Sequence, residues 1–300
     1  TVPILVMNIF TLYMIVSEKA TLSLLCSVTG GVLNMVLDYV FLAGFHRGIG
    51  GAATATGLGY SVTAVVGLVV FSRKKSLLHF KKPVCRFKVL MNAAFNGCSE
   101  MATALVTGII TMMFNWTMLH YVGEDGVAAV TIIMYVLMFA SSLYTGYSYG
   151  VAPMLSFYDG ERNFEKLKKL VLLSLRVIAV ISVVTVTVSL VMTKPLVSIF
   201  ARPDNPVYNL AVTGNRICTI ALFFVGFNIF ASGMFTALSN GVVSAVLAFS
   251  RSFVFMMITM IVLPLILGVN GIWLATPTAE LMALVLAVCM FFNYKKRYGY

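Results

Sequence analysis

A single carboxylate stands inside an apolar segment that is long enough to cross a bilayer. Asp38 lies in the stretch 24–43, which holds no other charged residue, and Asn34 precedes it by one helical turn on the same face. A charge near the middle of a membrane costs at least ~2.5–3.5 kcal/mol, so it normally faces protein or a water-filled cavity. Carboxylate and amide oxygens are hard ligands for a small cation, and a buried carboxylate can instead carry a proton. A static hydrogen-bonded contact between helices is the competing interpretation.

Polar residues form a second pattern, in the segment 90–121. They recur every three or four positions and would form one stripe along an otherwise apolar helix: Asn92, Asn96, Glu100, Thr103, Thr107, Thr111 and Asn115. In lipid such a stripe must face other protein or water. Because packing alone needs only one or two polar residues, the length of the stripe predicts the wall of a cavity. Glu100 is the only charge on it.

Two more charges lie inside apolar segments near the C-terminal end. Arg251 falls in 242–266 and Glu280 in 271–293. Arg251 can pair with a carboxylate across the helices, but its place near the cytoplasmic third of its segment favours extension toward the membrane interface. Glu280 can form a similar pair, and both residues are interpreted as structural charges.

The elements that position these residues are transmembrane helices. The chain has 300 residues, of which 60% are hydrophobic and 10% charged, whereas soluble domains have about 25% charged residues. Long continuous apolar runs disfavour a β-barrel, whose strands alternate. We predict an all-α polytopic membrane protein with about nine spans: 1–16, 21–43, 51–71, 90–121, 127–156, 168–193, 209–237, 242–266 and 271–293.

The positive charge predicts orientation rather than nucleic-acid binding. The net charge is +11, and the basic residues concentrate in 72–88, in 162–169 and at the C-terminus, which fall on one side of the predicted spans. Since positive loops stay inside, these regions are predicted to be cytoplasmic in a multi-pass protein of the plasma (inner) membrane. The segment 72–88 would link a unit over 1–71 to a unit over 89–300.

The sequence offers little for enzymatic or metal chemistry. It contains no GxxxxGK[ST] phosphate loop and no HExxH zinc motif. The five cysteines have neither the spacing of a zinc site nor that of a disulfide framework: Cys26, Cys85, Cys98, Cys218 and Cys289. We therefore predict a protein that is not an enzyme and has no cofactor beyond a coupling ion.

An internal repeat links the two ends of the chain. An ungapped shift of 220 residues places Asn8 on Asn228, followed by matches of Met14 with Met234, Gly48 with Gly268, Gly51 with Gly271, Ala55 with Ala275 and Thr56 with Thr276. The copies would share one orientation, as parallel repeats. The second copy holds six predicted spans and the first only three. We therefore expect a fragment of a 6+6, two-lobe transporter that lacks its first three helices, with Asn8 and Asn228 lining the cavity.

Several motifs resemble those of MATE (multidrug and toxic compound extrusion) transporters. The run from Asn34 to Phe41, NMVLDYVF, followed by GIGGAATAT at 48–56, is similar to their fifth and sixth helices. Their second half is resembled by Glu100, by GYSYGVAP at 146–153 and by SRSFVF and LGVNGIWLATPTAE within 250–280. The resemblance implies a cation-coupled antiporter that exports organic, often cationic, drugs through two lobes that open alternately.

The resemblance also implies site residues. A cation site for H⁺ or Na⁺ would comprise Asn34, Asp38 and Thr56, with an acidic residue on a first helix that this chain does not contain. Glu100 would match the acidic residue of the seventh helix. The polar stripe itself predicts the residues that line the cavity: Asn96, Thr103, Thr107 and Thr111. An acidic residue that some members have in the tenth helix has no counterpart in 209–237. The expected partners are the lipid bilayer and small organic cations, for a protein that is a monomer.

Two alternatives stay open from sequence. A lipid-linked saccharide flippase of the same superfamily would line its cavity with Arg or Lys to hold a pyrophosphate, whereas this stripe is acidic and neutral. A membrane receptor or scaffold that transports nothing would have no reason to keep a polar stripe through the bilayer.

Overall fold

The computed structural model describes residues 2–73, 78–81 and 86–298 and, within its helices, every side chain except those of 88, 89, 92–104, 296 and 297. These ranges are mostly helical, with short turns and loops between the helices, and they contain no strand. The helices are α1 (Val2–Val16), α2 (Ala20–Tyr39), α3 (Gly48–Ser72), α4 (Phe87–Tyr121), α5 (Glu124–Gly160), α6 (Phe164–Val191), α7 (Thr193–Phe200), α8 (Pro206–Cys218), α9 (Leu222–Ala237), α10 (Gly241–Phe249), α11 (Met256–Leu267) and α12 (Val269–Tyr298).

Several of these helices join into longer stretches. α2 continues into a π-helical turn at Val40–Gly44, a 3₁₀ turn at Thr219–Ala221 joins α8 to α9, and a π-helical segment at Ser250–Phe255 joins α10 to α11. The described residues contain seven stretches that are long and apolar enough to span a membrane: Ala20–Gly44, Gly48–Ser72, Glu124–Gly160, Phe164–Val191, Pro206–Ala237, Gly241–Leu267 and Val269–Lys295. Lipid offers no hydrogen-bond partners, and a helix satisfies its backbone internally. The predicted all-α membrane fold is confirmed.

The helix ends follow the polar residues between the apolar runs. The side chains of Asn163, Asn205 and Asn240 each accept a backbone N–H in the first turn of α6, α8 and α10, respectively. An asparagine at this position satisfies an amide that the helix leaves unpaired. The segment 194–206 lies between the predicted spans 168–193 and 209–237, and its first half is helical because it belongs to α7. α7 is short and amphipathic, and burial of its Val197 side chain stabilises it.

The chain divides into two compact units, Thr1–Phe87 and Lys88–Tyr300, and the division falls in the predicted linker 72–88. In the first unit α3 packs against both α1 and α2. Its small core consists of Phe10, Met14 and Phe71.

In the second unit α5 packs against α6, α8 and α9, and α12 packs against α8, α9 and α11. Trp273 and Tyr144 are among the largest fully buried side chains of the described residues. The glycines of α8 and α9 make this packing possible, because a Cβ at Gly214 would lie 2.8 Å from the Trp273 ring. In this unit, large aromatic rings therefore pack directly against the backbone at glycine positions.

The predicted repeat recurs in the structure of each unit. α1, α2 and α3 correspond in order to α9, the α10–α11 stretch and α12. Matched residues are buried alike: Met14 and Met234 are both fully buried, and so are Ala55 and Ala275. Gly48 and Gly268 have φ angles of 57° and 58° at the start of the third helix of each copy. The left-handed backbone there favours glycine and explains why both copies have it.

Candidate cation site

Helices α2 and α3 cross at a contact between two glycines. A Cβ built on Gly30 would lie 2.6 Å from the carbonyl oxygen of Gly59, and a Cβ on Gly59 would lie 2.8 Å from the oxygen of Gly30. The same Cβ on Gly59 would lie 3.0 Å from the Cβ of Asn34. Small residues let two membrane helices approach at backbone distance. Asn34 lies one turn after Gly30 on α2, and Thr56 lies one turn before Gly59 on α3. The glycine contact therefore brings these two polar residues within reach of each other.

The first consequence of this crossing is a hydrogen bond between the helices. Asn34 Nδ2 donates to Thr56 Oγ1 at 3.3 Å, and Thr56 Oγ1 donates to the backbone oxygen of Ala52 at 2.9 Å. Both side chains are half-buried. The structure thus brings together Asn34 and Thr56, two of the three residues predicted for the cation site, although they are separated by 22 positions in the sequence.

Asp38 lies one turn beyond Asn34 on α2. It is half-buried, and its Oδ1 is screened from solvent without a hydrogen-bond partner among the described residues. The π-helical turn Val40–Gly44 follows directly, and such turns are frequent at functional sites. Within the described ranges no three Asp, Glu, His or Cys side chains gather as metal ligands. A cation at Asp38 would therefore depend on amide, hydroxyl and backbone oxygens for its other ligands, and Asn34 and Thr56 supply these types.

Residues predicted to line the cavity are only partly described. Thr107 and Thr111 are exposed on α4, away from its buried face, and Thr111 Oγ1 donates to the backbone oxygen of Thr107. Asn8 is exposed on α1. The side chains of Asn96, Glu100 and Thr103 lie outside the described residues. Thr107 and Thr111 therefore do not belong to the core of their own unit, and their place in a cavity wall stays a prediction.

A groove lies at the end of the stripe, between α4 and α5. Its volume is about 550 Å³, and it is lined by Met112, Asn115, Trp116, Leu119, Glu124, Val127 and Ala128. Trp116 is largely exposed and stacks on His120 at 6.4 Å between ring centroids. The walls are apolar apart from one amide and one carboxylate.

A second polar cluster is buried in the second unit. Arg251 Nε donates to both oxygens of Glu280, at 2.8 and 2.9 Å. Asn228 Nδ2 donates to Glu280 Oε2 at 2.7 Å and to the backbone oxygen of the same residue at 2.9 Å. Glu280 is 8% exposed and Asn228 4% exposed. One carboxylate therefore joins α9, the π-helical segment and α12.

This cluster changes two sequence interpretations. The extension of Arg251 to the membrane interface was wrong, because its guanidinium is held by Glu280. Asn228, expected to line a cavity, is instead buried among α9, α12 and the ion pair. Sequence reasoning also passed over Thr276, whose buried Oγ1 has no partner among the described residues. The repeat gave the signal for it, since Thr276 matches Thr56.

Residues Gly146–Gly150 read GYSYG and so match the G-x-S-x-G pattern of a nucleophile elbow, but they lie inside the helix α5. Ser148 is buried in the interior of α5 and packs against Gly233 of α9. An elbow needs a strand-to-helix turn that exposes the serine. The motif here serves helix packing.

Comparisons with known proteins agree with this architecture. The family model described as MatE matches residues 100–262, more than half of the chain. Multidrug export protein MepA of Staphylococcus haemolyticus (strain JCSC1435) is 24% identical over 281 residues, which cover 93% of this chain and 61% of that protein. The chain thus spans about three fifths of the length of this relative.

Solved structures share the fold. A crystal structure of MATE in complex with MaL6 superposes with a TM-score of 0.86 at 21% identity, over 98% of this chain and 66% of that one. The outward-facing conformation of a multidrug resistance MATE family transporter of the MOP superfamily gives 0.82 at 22% identity, over 94% of this chain and 63% of that one. These relatives are named as exporters and transporters. The chain belongs to the MatE family.

Proposed function

We propose that the protein exports organic, mainly cationic, compounds in exchange for H⁺ or Na⁺, by alternating access. Family membership supports export, since the MepA relatives are named as multidrug export proteins. The observation that supports cation coupling is the Asp38 carboxylate. Its Oδ1 is screened from solvent and has no partner among the described residues, beside the hydrogen-bonded Asn34 and Thr56.

Asp38 suits the role because its charge is expensive where it stands. A carboxylate inside an apolar span gains more from a bound cation than one at the surface does. One pH unit across the membrane supplies about 1.36 kcal/mol per proton, and 100 mV supplies about 2.3 kcal/mol per charge. A few kcal/mol shifts a two-state equilibrium by orders of magnitude. Occupation of Asp38 can thus decide which arrangement of the protein is favoured.

The proposed location is the plasma (inner) membrane, with the segment 72–88 and the C-terminus in the cytoplasm and the protein working as a monomer. Basic side chains support this orientation: Arg73, Lys81, Arg86, Arg162, Lys166, Lys168, Lys169 and Lys295. They follow the rule that positive loops stay inside. Reporter proteins fused after residue 300 and within 72–88 would test this orientation. Activity at either position of a reporter that works only outside the cytoplasm would contradict it.

A flippase gains no support from the second unit's buried cation. The charge of Arg251 is neutralised by Glu280. Arg251 therefore offers no free positive charge to a pyrophosphate. The two functions separate experimentally, because a flippase would respond to lipid-linked saccharide and not to a cationic drug.

Drug efflux from proteoliposomes tests the proposal. The full-length protein, the Asp38→Asn variant and an Asp204→Asn control at an exposed loop position would each be assayed with ethidium under separate H⁺ and Na⁺ gradients. We expect gradient-driven efflux by the full-length protein and by the Asp204→Asn control. The efflux rate of Asp38→Asn should be at least tenfold lower, which corresponds to about 1.4 kcal/mol. Unchanged efflux by a correctly inserted Asp38→Asn variant would refute the proposal.

A further inference from the structure

The 73 residues from 222 to 294 contain one cation and one anion, and the fold brings them together. These are Arg251 and Glu280, joined by two contacts of 2.8 and 2.9 Å. They come from different helices of an apolar bundle. Their meeting satisfies two charges that would each be costly in a membrane.

The cluster nevertheless contains polar oxygens without partners. The amide orientation of Asn228 is fixed, since its Nδ2 donates to two oxygens of Glu280, the carboxylate and the backbone carbonyl. Its Oδ1 therefore faces the other way and is buried without a partner among the described residues. Thr276 Oγ1, one turn before Glu280 on α12, is buried and without a partner there as well. Buried oxygens of this kind call for a donor or a cation.

The two members of the ion pair differ in their access to solvent. The side chain of Arg251 is 24% exposed and that of Glu280 is 11% exposed. Arg251 also belongs to the π-helical segment Ser250–Phe255, and segments of this kind are frequent at functional sites. Of the two charged groups, the guanidinium is the more accessible to solvent. It cannot lose its proton, so only its departure changes the charge beside Glu280.

Among the described residues of α8 to α11, no other charge is placed to replace the guanidinium. Of the elements packed on α12, the stretches α9 and α10–α11 contain no charged residue besides Arg251, and α8 contributes only Arg216, which is exposed. With Arg251 in place, a second cation at Glu280 would leave an uncompensated charge inside the membrane. Binding of a cation there requires exchange with the guanidinium.

We propose that Glu280 is a second cation-exchange site, at which Arg251 and a coupling cation alternate. Thr276 Oγ1, one turn before Glu280 on the same helix, supplies a neutral oxygen to the cation when the guanidinium withdraws. The ligand is a monovalent cation, Na⁺ or H⁺. This inference rests on the proposed cation coupling, but it concerns a site on other helices than Asp38.

The test uses the purified full-length protein in an Asp38→Asn background, so that the first site cannot respond. The melting temperature is measured against Na⁺ concentration, with choline holding the ionic strength constant, and in a second arm against pH without Na⁺. We expect a saturable response in Asp38→Asn that disappears when Glu280→Gln is added. Adding Arg251→Gln instead should lower the Na⁺ midpoint by about tenfold, the scale of one close charge pair.

Two further variants keep the test decisive. The neutral pair Arg251→Gln/Glu280→Gln in the same background removes both charges together, which avoids a lone buried charge, and it should also give no response. The surface pair Lys169–Glu165, whose side chains are 74% and 79% exposed, provides the matched control, and its neutral variant should respond like the parent. A difference only in the pH arm would identify the proton as the ligand. Identical curves with and without Glu280, in both arms, would overturn the proposal whatever Asp38→Asn does to transport.

Discussion

Replacement of Gly30 by Ala would place a methyl group in the closest part of the α2–α3 crossing. The new Cβ would lie 2.6 Å from the backbone oxygen of Gly59, whereas ordinary contacts begin at 3.4 Å. Backbone cannot turn aside as a side chain can, so the helices must separate by about 0.8 Å. The Asn34–Thr56 hydrogen bond already measures 3.3 Å, and this displacement takes it beyond hydrogen-bonding reach.

The expected loss is that of one hydrogen bond at the proposed cation site. It amounts to about 0.5–1.5 kcal/mol, or roughly a 2- to 12-fold weaker apparent affinity for the coupling ion. Gly31→Ala provides the control, because a Cβ there meets nothing within 4 Å. The assay is drug efflux as a function of driving-ion concentration. If Gly30→Ala and Gly31→Ala reach half-maximal efflux at the same driving-ion concentration, the close α2–α3 contact does not control the proposed cation site.

Two predictions concern the second unit, both read from thermal unfolding in detergent. Gly226→Ala should destabilise it by about 1–3 kcal/mol from overpacking, because its Cβ would lie 2.6 Å from the Tyr144 ring; an unchanged midpoint would contradict this. Tyr144→Phe should cost about 1–2 kcal/mol, since the hydroxyl donates to the Leu222 carbonyl at 2.9 Å and pairs with Thr185 at 2.6 Å. Stability equal to the parent would show that these bonds contribute nothing.

The helices themselves could be predicted because a transmembrane helix is a local property of the sequence. A run of about 20 apolar residues is sufficient to specify one, and lipid leaves the backbone no alternative to internal hydrogen bonds. The repeat could be read for a similar reason, since residues such as Met14 and Met234 occupy equivalent buried positions. Asn34 and Asp38 share a helical face by their spacing alone.

Only the tertiary structure decided which polar groups meet. Thr56 reaches Asn34 because two glycines let the helices touch, and this depends on how α2 and α3 are rotated about their axes. Arg251 and Glu280 lie 29 positions apart, and neither depth nor rotation follows from a hydropathy pattern. From the sequence, Arg251 is expected to reach the membrane interface because it is a long charged side chain toward one side of a predicted span. Which carboxylate faces it depends on how the helices pack. Charge, hydropathy and spacing therefore determine the helices and their polar faces, and contacts between helices determine which of those faces become sites.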